Sequence, residues 1–278
     1  GSRARGRGPA FLHRGSRVAE DAVIQVVPGP KQVAQVGAHL VAEYLASRAR
    51  QEAAQVSLVL AGGLTPARLY ALLAGQAGSS VPWAQVNVFW GDERCVPPDD
   101  HLSNYHMALT SGLLARCFAG IYRFATELSP EEAARVYEEK LRELHQARTI
   151  DVDVYPRFDV ILLGLGDDGH IASLFPGTCE VRETVRWVTA TEERGGIRRV
   201  TLTMPVLASA RRLIFLVSGE SKAEALRSTL SVIQGTAAPR TPARLLLDMV
   251  AVKELAGWGP PEVTWLVDEQ AATLLPSG

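Results

Sequence analysis

Cysteine, surplus charge and long apolar runs are all scarce in this chain, and each scarcity closes a class of function. The three cysteines, Cys95, Cys117 and Cys179, are odd in number and widely spaced, with no C-x-x-C. This argues against a disulfide scaffold or a cysteine zinc site and suits a reduced, cytoplasmic enzyme. The formal net charge is −1, so there is no basic surplus to attract nucleic acid, and any anionic ligand must be met by a local cluster of cations. No apolar run is long enough to span a bilayer, so no membrane role is expected. The glycine turns lack the G-K-[ST] ending of a Walker loop. No G-x-S-x-G elbow occurs, no His, Cys, Asp and Glu set has metal-ligand spacing, and aromatics are not interleaved with basic residues.

What is present is a chain of 278 residues, 47% hydrophobic, enough for a sizeable core. Its first seventeen residues carry Arg3, Arg5, Arg7, Arg14 and Arg17 with several glycines and no acid. A transit peptide has this composition too, but residues 1–17 read as a disordered tag or tail, and 18–278 as a single domain.

From Val23 onward, apolar runs alternate with helical patterns. Strands are expected at Val23–Val27, Val56–Leu60, Val86–Trp90, Phe158–Leu163, Val185–Ala190, Val200–Thr203, Leu213–Val217 and Val263–Val267. Between them, Val33, Val36, Leu40, Tyr44 and Leu45 recur at helical spacing. Thr65-Pro66 suits an N-cap and first helical position, and Ser129-Pro130-Glu131-Glu132 a capping box. Further helices are expected at Pro205–Ala210, Lys222–Leu230 and Asp268–Leu275, and loops at Gly75–Pro82, Ala147–Pro156 and Gly235–Arg240. Near-continuous apolar strands alternating with helices imply an α/β fold with a mostly parallel sheet covered on both faces. Ligands then sit outside the carboxyl ends of the strands.

Four stretches fall at such ends. Gly62-Gly63-Leu64-Thr65-Pro66 lets a backbone approach a phosphate monoester beside a fresh helix N-terminus, or is an ordinary strand–helix turn. In Trp90-Gly91-Asp92-Glu93-Arg94, the arginine either grips an anion with two parallel N–H bonds or forms a local ion pair. Cys95 beside it reads as an inert thiol. Gly164-Leu165-Gly166-Asp167-Asp168-Gly169-His170 fits G-x-G-x-x-G, but its adjacent carboxylates would repel a pyrophosphate. Alternatively, Asp168 orients His170 as a general base, or the two merely close a turn. Finally, Lys222 in Val217-Ser218-Gly219-Glu220-Ser221-Lys222 opposes a helix dipole, which is reasonable if an anion lies nearby and otherwise is simple solvation. Arg198 and Arg199 add cations to the same region.

In this order, the stretches resemble the 6-phosphogluconolactonase family. The matching segments are F-W-G-D-E-R-C-V-P-P-D-D-x-x-S-N-Y at Phe89–Tyr105 and F-D-V-I-L-L-G-L-G-D-D-G-H-I-A-S-L-F-P-G at Phe158–Gly177. R-V-T-L-T at Arg199–Thr203 and V-S-G-E-S-K-A at Val217–Ala223 match as well. The resemblance implies a Rossmann-like fold shared with glucosamine-6-phosphate deaminase. The deaminase pattern has a glutamate where this chain has Phe175. By resemblance, the partner is a small phosphosugar lactone, 6-phospho-D-glucono-1,5-lactone, and neither metal nor nucleotide cofactor is needed. Gly62, Gly63, Thr65, Asp92, Arg94, Arg199 and Lys222 would bind the substrate, and Asp168 and His170 would be catalytic. A sugar-phosphate deaminase or isomerase and a non-catalytic sugar-phosphate sensor are the alternatives, and either a monomer or a dimer is compatible with the sequence. One departure stands out. The family's proline-rich S-P-K-P-P is replaced by Thr191-Glu192-Glu193-Arg194-Gly195-Gly196-Ile197, which leaves the placement of Arg198 and Arg199 open.

Overall fold

The computed structural model describes residues 11–12, 22–52, 55–146, 155–231, 240–251 and 259–276. The chain runs β1 (Phe11–Leu12), β2 (Val23–Val27), α1 (Pro30–Glu52), β3 (Val56–Leu60), α2 (Leu64–Ala74), β4 (Val86–Trp90), β5 (Asp92–Arg94), α3 (Asn104–Thr110), β6 (Gly120–Tyr122), α4 (Pro130–Gln146), β7 (Val160–Leu163), β8 (Val188–Ala190), β9 (Arg199–Leu202), α5 (Met204–Ala208), β10 (Arg212–Val217), α6 (Ala223–Leu230), α7 (Pro242–Ala251) and β11 (Glu262–Asp268). The expected apolar runs become strands because both of their faces are covered. Every residue of β3, β4 and β7 is buried, so alternate side chains meet packing on opposite sides of the sheet. Among the described residues, no helix is long and apolar enough to cross a membrane.

The main sheet has the order β1-β2-β11-β10-β7-β3-β4-β6. All its pairings are parallel except that of β1 with β2. From β3 the chain builds outward through β4 to β6, then returns to lay β7 on the other side of β3. Strand order therefore reverses between β3 and β7, the position where an open α/β sheet leaves a crevice.

A carboxylate fastens this central pair at the opposite end. Asp159, buried just before β7, accepts hydrogen bonds from the Ser57 backbone N–H and hydroxyl, both at 2.9 Å. Its other oxygen lies 3.2 Å from Arg48 Nε and 3.4 Å from Arg211 Nε.

Several expectations are corrected. A second sheet, β5-β9-β8, is antiparallel, so Val185–Ala190 and Val200–Thr203 do not extend the parallel sheet. Val185 is exposed, and the strand begins only at Val188. The chain enters this sheet at Gly91, whose N–H donates to Leu60 and whose carbonyl accepts from Leu202. Thr65 is not an N-cap. Gly63 holds that position at φ +111°, and the Thr65 hydroxyl is directed to Ser218 Oγ at 3.4 Å. Asp268–Leu275 forms turns rather than a helix, and the Asp268 carboxylate accepts from the N–H groups of Gly219 and Ala271. Half of the Ser129 capping box forms: the Ser129 hydroxyl accepts the Glu132 N–H at 3.3 Å, while the Glu132 carboxylate takes the Ser129 hydroxyl at 2.8 Å rather than its backbone N–H. Helices α3 and α7 were not expected. Of residues 1–17, only Phe11–Leu12 is described, paired antiparallel with β2 instead of lying in a free tail. The rest of that expectation, and the loops read at 147–154 and 235–239, lie outside the described residues.

Replacing Asp159 with alanine removes the shared acceptor of two buried donors and two guanidinium groups. Stability should fall by on the order of 3 kcal/mol, read as a lower urea midpoint at unchanged slope. A loss below about 0.5 kcal/mol, the level of an ordinary surface change, would contradict this role for the carboxylate.

Candidate active site

A cleft of about 590 Å³ opens at the carboxyl ends of β3 and β7. Its walls bring together Gly62, Gly63, Thr65, Asp92, Arg94, His170 and Lys222 from all four stretches singled out in the sequence. Two further candidates stand behind the wall. Asp168 touches His170, and Arg199 lies directly opposite Arg94 in the β5–β9 register.

The first wall is the β3–α2 turn. Gly62 has no room for a side chain, since a Cβ there would stand 2.2 Å from Asn104 Oδ1. Asn104 in turn donates to the Asp92 carbonyl at 2.9 Å and accepts from Arg94 Nη1 at 3.0 Å. The missing side chain of Gly62 thus lets one amide tie the glycine turn to the arginine loop. Asn104, in the S-N-Y that ends the Phe89–Tyr105 motif, was given no role in the sequence reading. Arg68, Ser218 and Gln270 also line the cleft and were not singled out.

Glu93 is internal scaffolding. Its buried carboxylate accepts from the backbone N–H groups of Arg94, Asn104 and Tyr105 and from the Ser103 hydroxyl. Burial pushes this carboxyl above its ordinary value, against the pull of those N–H groups. Asp92 accepts from Ser173 Oγ at 2.6 Å, which fastens the loop to the segment after His170. Burial pushes the Cys95 thiol up to about 11, so at neutral pH it is a protonated, inert group as expected.

Arg94 and Arg199 are satisfied by neutral oxygens. Arg94 donates to the Leu102 carbonyl and Asn104, and Arg199 to the carbonyls of Arg194 and Ile197. Burial, followed by the charge of Arg94, holds the Arg199 guanidinium below its ordinary value. Like charges directly opposite on paired strands repel, and an anion between them relieves the repulsion. Arg198 is corrected: it turns outward to Glu131, in the first turn of α4. Lys222 does have the nearby anion its position called for, since it pairs with Asp167. That hydrogen bond from Lys222 lowers the Asp167 carboxyl.

The remaining wall is the glycine turn. No helix follows Gly169, so the dinucleotide reading fails: there is no N-terminus to receive a pyrophosphate. Instead the chain doubles back, with Gly166 N–H donating to the His170 carbonyl at 2.8 Å and Gly169 N–H to Gly166 at 3.0 Å. Gly169 adopts φ +79° against Thr241, and its carbonyl accepts from Ala243 at the start of α7. His170 Nδ1 lies 2.6 Å from Asp168 Oδ1, which also accepts the His170 backbone N–H at 3.1 Å. Burial raises the Asp168 carboxyl, but the His170 hydrogen bonds, with the charges of His170 and Arg194, bring it below its ordinary value. An ionised carboxylate only accepts, so Nδ1 is the protonated nitrogen facing Asp168, and in a neutral ring the free lone pair is on Nε2. Ala172, in the cleft wall, is the non-glycine residue with positive φ (46°) among those described, a strained conformation two residues past the ring. No group of three or more His, Cys, Asp or Glu side chains among the described residues has the geometry to hold a metal ion.

Two predictions follow from this geometry. A Cβ on Gly166 would stand 1.9 Å from His170 Nδ1, so Gly166→Ala should swing the ring off Asp168. A crystal structure of the variant that kept the 2.6 Å contact would refute it. The lowered Asp168 carboxyl contributes stability that is present above the ordinary carboxylate range and lost as pH falls through its folded-state value. Denaturant midpoints of Asp168→Asn and the parent should therefore differ at about pH 7 and draw together as pH falls below the ordinary carboxylate range.

The chain is 38% identical over 229 residues to the 6-phosphogluconolactonase of Synechocystis sp., covering 81% of this chain and 87% of that one. It is 35% identical over 234 residues to the 6-phosphogluconolactonase of Mycobacterium tuberculosis, covering 80% and 86%. Among solved structures, the 6-phosphogluconolactonase from Trypanosoma cruzi superposes with a TM-score of 0.74 at 27% identity, over 91% of this chain and 97% of that one. The sequence model of glucosamine-6-phosphate isomerases/6-phosphogluconolactonase matches residues 28–253, and the chain belongs to that family.

Proposed function

We propose that this protein hydrolyses 6-phospho-D-glucono-1,5-lactone to 6-phosphogluconate, the second step of the oxidative pentose phosphate pathway. The observation that carries this reading is a carboxylate-held imidazole and unneutralised arginine on the walls of one cleft. The names of the curated relatives point to the same reaction.

In this reading the phosphate lies against the Gly62-Gly63-Leu64-Thr65 turn, where the first N–H groups of α2 point outward with a favourable dipole. Arg94 and Arg199 supply charge, and Lys222 and Asp92 complete the grip on phosphate and sugar. His170 Nε2 removes a proton from water as its oxygen attacks C1 of the lactone. Asp168 keeps the ring oriented and stabilises the imidazolium. The imidazolium then returns the proton to the departing ring oxygen. A lactone is an activated ester, so one positioned base is sufficient machinery. Phe175 argues against amino-sugar isomerisation. Its ring centroid lies 4.5 Å from that of His170, where the deaminase pattern would supply a carboxylate for the acid–base relay.

Removing a general base should lower turnover by about 10²–10⁴-fold. His170→Ala, assayed on freshly made lactone with spontaneous hydrolysis subtracted, tests this; a wild-type rate would exclude His170 as the base. Arg94→Ala should weaken binding of 6-phosphogluconate by at least about tenfold, the loss typical of one charge-assisted contact. Unchanged affinity by calorimetry would remove Arg94 from the phosphate site.

A further inference from the structure

The Gly195-Gly196 segment folds into a hairpin rather than a loose loop. Arg194 and Ile197 form an antiparallel bridge, and the two glycines between them have φ +63° and +75°. Positive φ at both central residues marks the tight two-residue turn that matches strand twist, which residues other than glycine, asparagine and aspartate seldom adopt. Arg199 locks the hairpin from below by donating to the carbonyls of Arg194 and Ile197 at 3.1 and 3.2 Å.

This turn aims the Arg194 side chain at two neighbours of one ring. Arg194 Nη2 lies 3.5 Å from Asp168 Oδ2, while His170 Nδ1 takes the other oxygen at 2.6 Å. The same guanidinium stands 4.5 Å from the centroid of Phe175, whose ring lies against His170 at 4.5 Å with a 43° tilt. Arg194 does not line the cleft, whereas Arg94 and Lys222 do. Its guanidinium is engaged with the surroundings of the imidazole rather than turned to the space a substrate would fill.

We propose that Arg194 is a positioning residue, holding Asp168 and Phe175 together so that the His170 ring keeps one orientation and one tautomer. This rests on the reading of His170 as the base. With Oδ2 held by Arg194, the carboxylate presents Oδ1 to Nδ1 and cannot rotate away. With Phe175 covered by a cation on one side, the ring has a firm surface to lean on. Each contact is weak, since half-exposed ion pairs and cation–π contacts contribute little singly. Both act on the same imidazole, so their loss should appear in the chemical step more than in the fold.

The test compares Arg194→Ala and Arg194→Lys with the wild type in two measurements. In lactone hydrolysis, Arg194→Ala should lose about five- to tenfold in kcat with KM within about twofold, the size expected when a pair of coupled weak contacts is removed. Arg194→Lys should fall between, because an ammonium keeps the charge on Asp168 but not the planar stacking on Phe175. A rise in KM at constant kcat would make Arg194 a substrate contact, and no change in either would make it a bystander; each outcome overturns the proposal. The second measurement needs no substrate. Nitrogen-15 shifts of the His170 ring should report a single Nδ1-protonated tautomer in the wild type and a mixture in Arg194→Ala. If the wild type did not hydrolyse the lactone, the functional reading would fail, and the ring spectrum alone would decide. Identical His170 signals in both proteins would overturn the positioning role.

Discussion

The Asp159 carboxylate between Ser57 and two arginines fixes where the cleft forms. It fastens β3 to β7 at their amino ends, where Leu58 and Val59 pair with Val160 and Ile161. Beyond those pairs the strands end in glycine turns of different shape. One, Gly62-Gly63, leads into α2; the other, Gly164 to Gly169, doubles back on itself. A parallel pair joined at one end and diverging at the other produces a crevice without any dedicated loop. The proposed phosphate site and the proposed base are then neighbours because their parent strands are neighbours, although about a hundred residues of sequence separate them.

The second, antiparallel sheet contributes what a simple doubly wound sheet does not. At Gly91 the chain leaves one sheet and enters the other, so Arg94 is carried on an edge above the cleft. β9, the middle strand of that sheet, sets Arg199 beside Arg94 in direct register. Glu93 points the other way, into a nest of N–H groups that sets the start of α3 and so places Asn104. Alternation along three residues of strand thus gives one side chain to the scaffold and its neighbour to the cleft.

Much of this was legible in the sequence, for identifiable reasons. The central strands announced themselves as uninterrupted apolar runs, and the four glycine- or charge-bearing stretches stood at their ends. The antiparallel sheet was hidden because Asp92–Arg94 is all charged and β8 and β9 are short, so neither alternation nor length separated them from the parallel strands. Thr65 misled because a hydroxyl before proline is a good cap by type, while the chain here enters the helix through Gly63 at φ +111°. Asp268 misled in the same way. Its side chain serves a turn on a different strand, and that partnership exists only once β10 and β11 pair. Helix α7 has the start signal Thr241-Pro242, and the Thr241 hydroxyl accepts the Arg244 N–H at 3.2 Å; the helix went unread although it buttresses Gly169. The glycine fingerprint at Gly164, Gly166 and Gly169 had the right spacing for a nucleotide, but Gly166 and Gly169 serve close packing against His170 and Thr241, and a Cβ on Gly164 would meet nothing.

Charge is distributed by the same logic. A chain with net charge −1 has no long-range field to draw in a phosphosugar, so the attraction has to be local. The fold supplies it by setting Arg94 against Arg199 on paired strands, where the two repel and neither has a carboxylate partner among the described residues. Carboxylates are present nearby, but each is committed elsewhere: Asp92 to Ser173, Asp167 to Lys222, Asp168 to His170. Had any of them closed on Arg94, the cleft would be neutral and a phosphate would have to displace an internal counter-ion. The arrangement therefore keeps positive charge available on one wall and a lone pair available on the other.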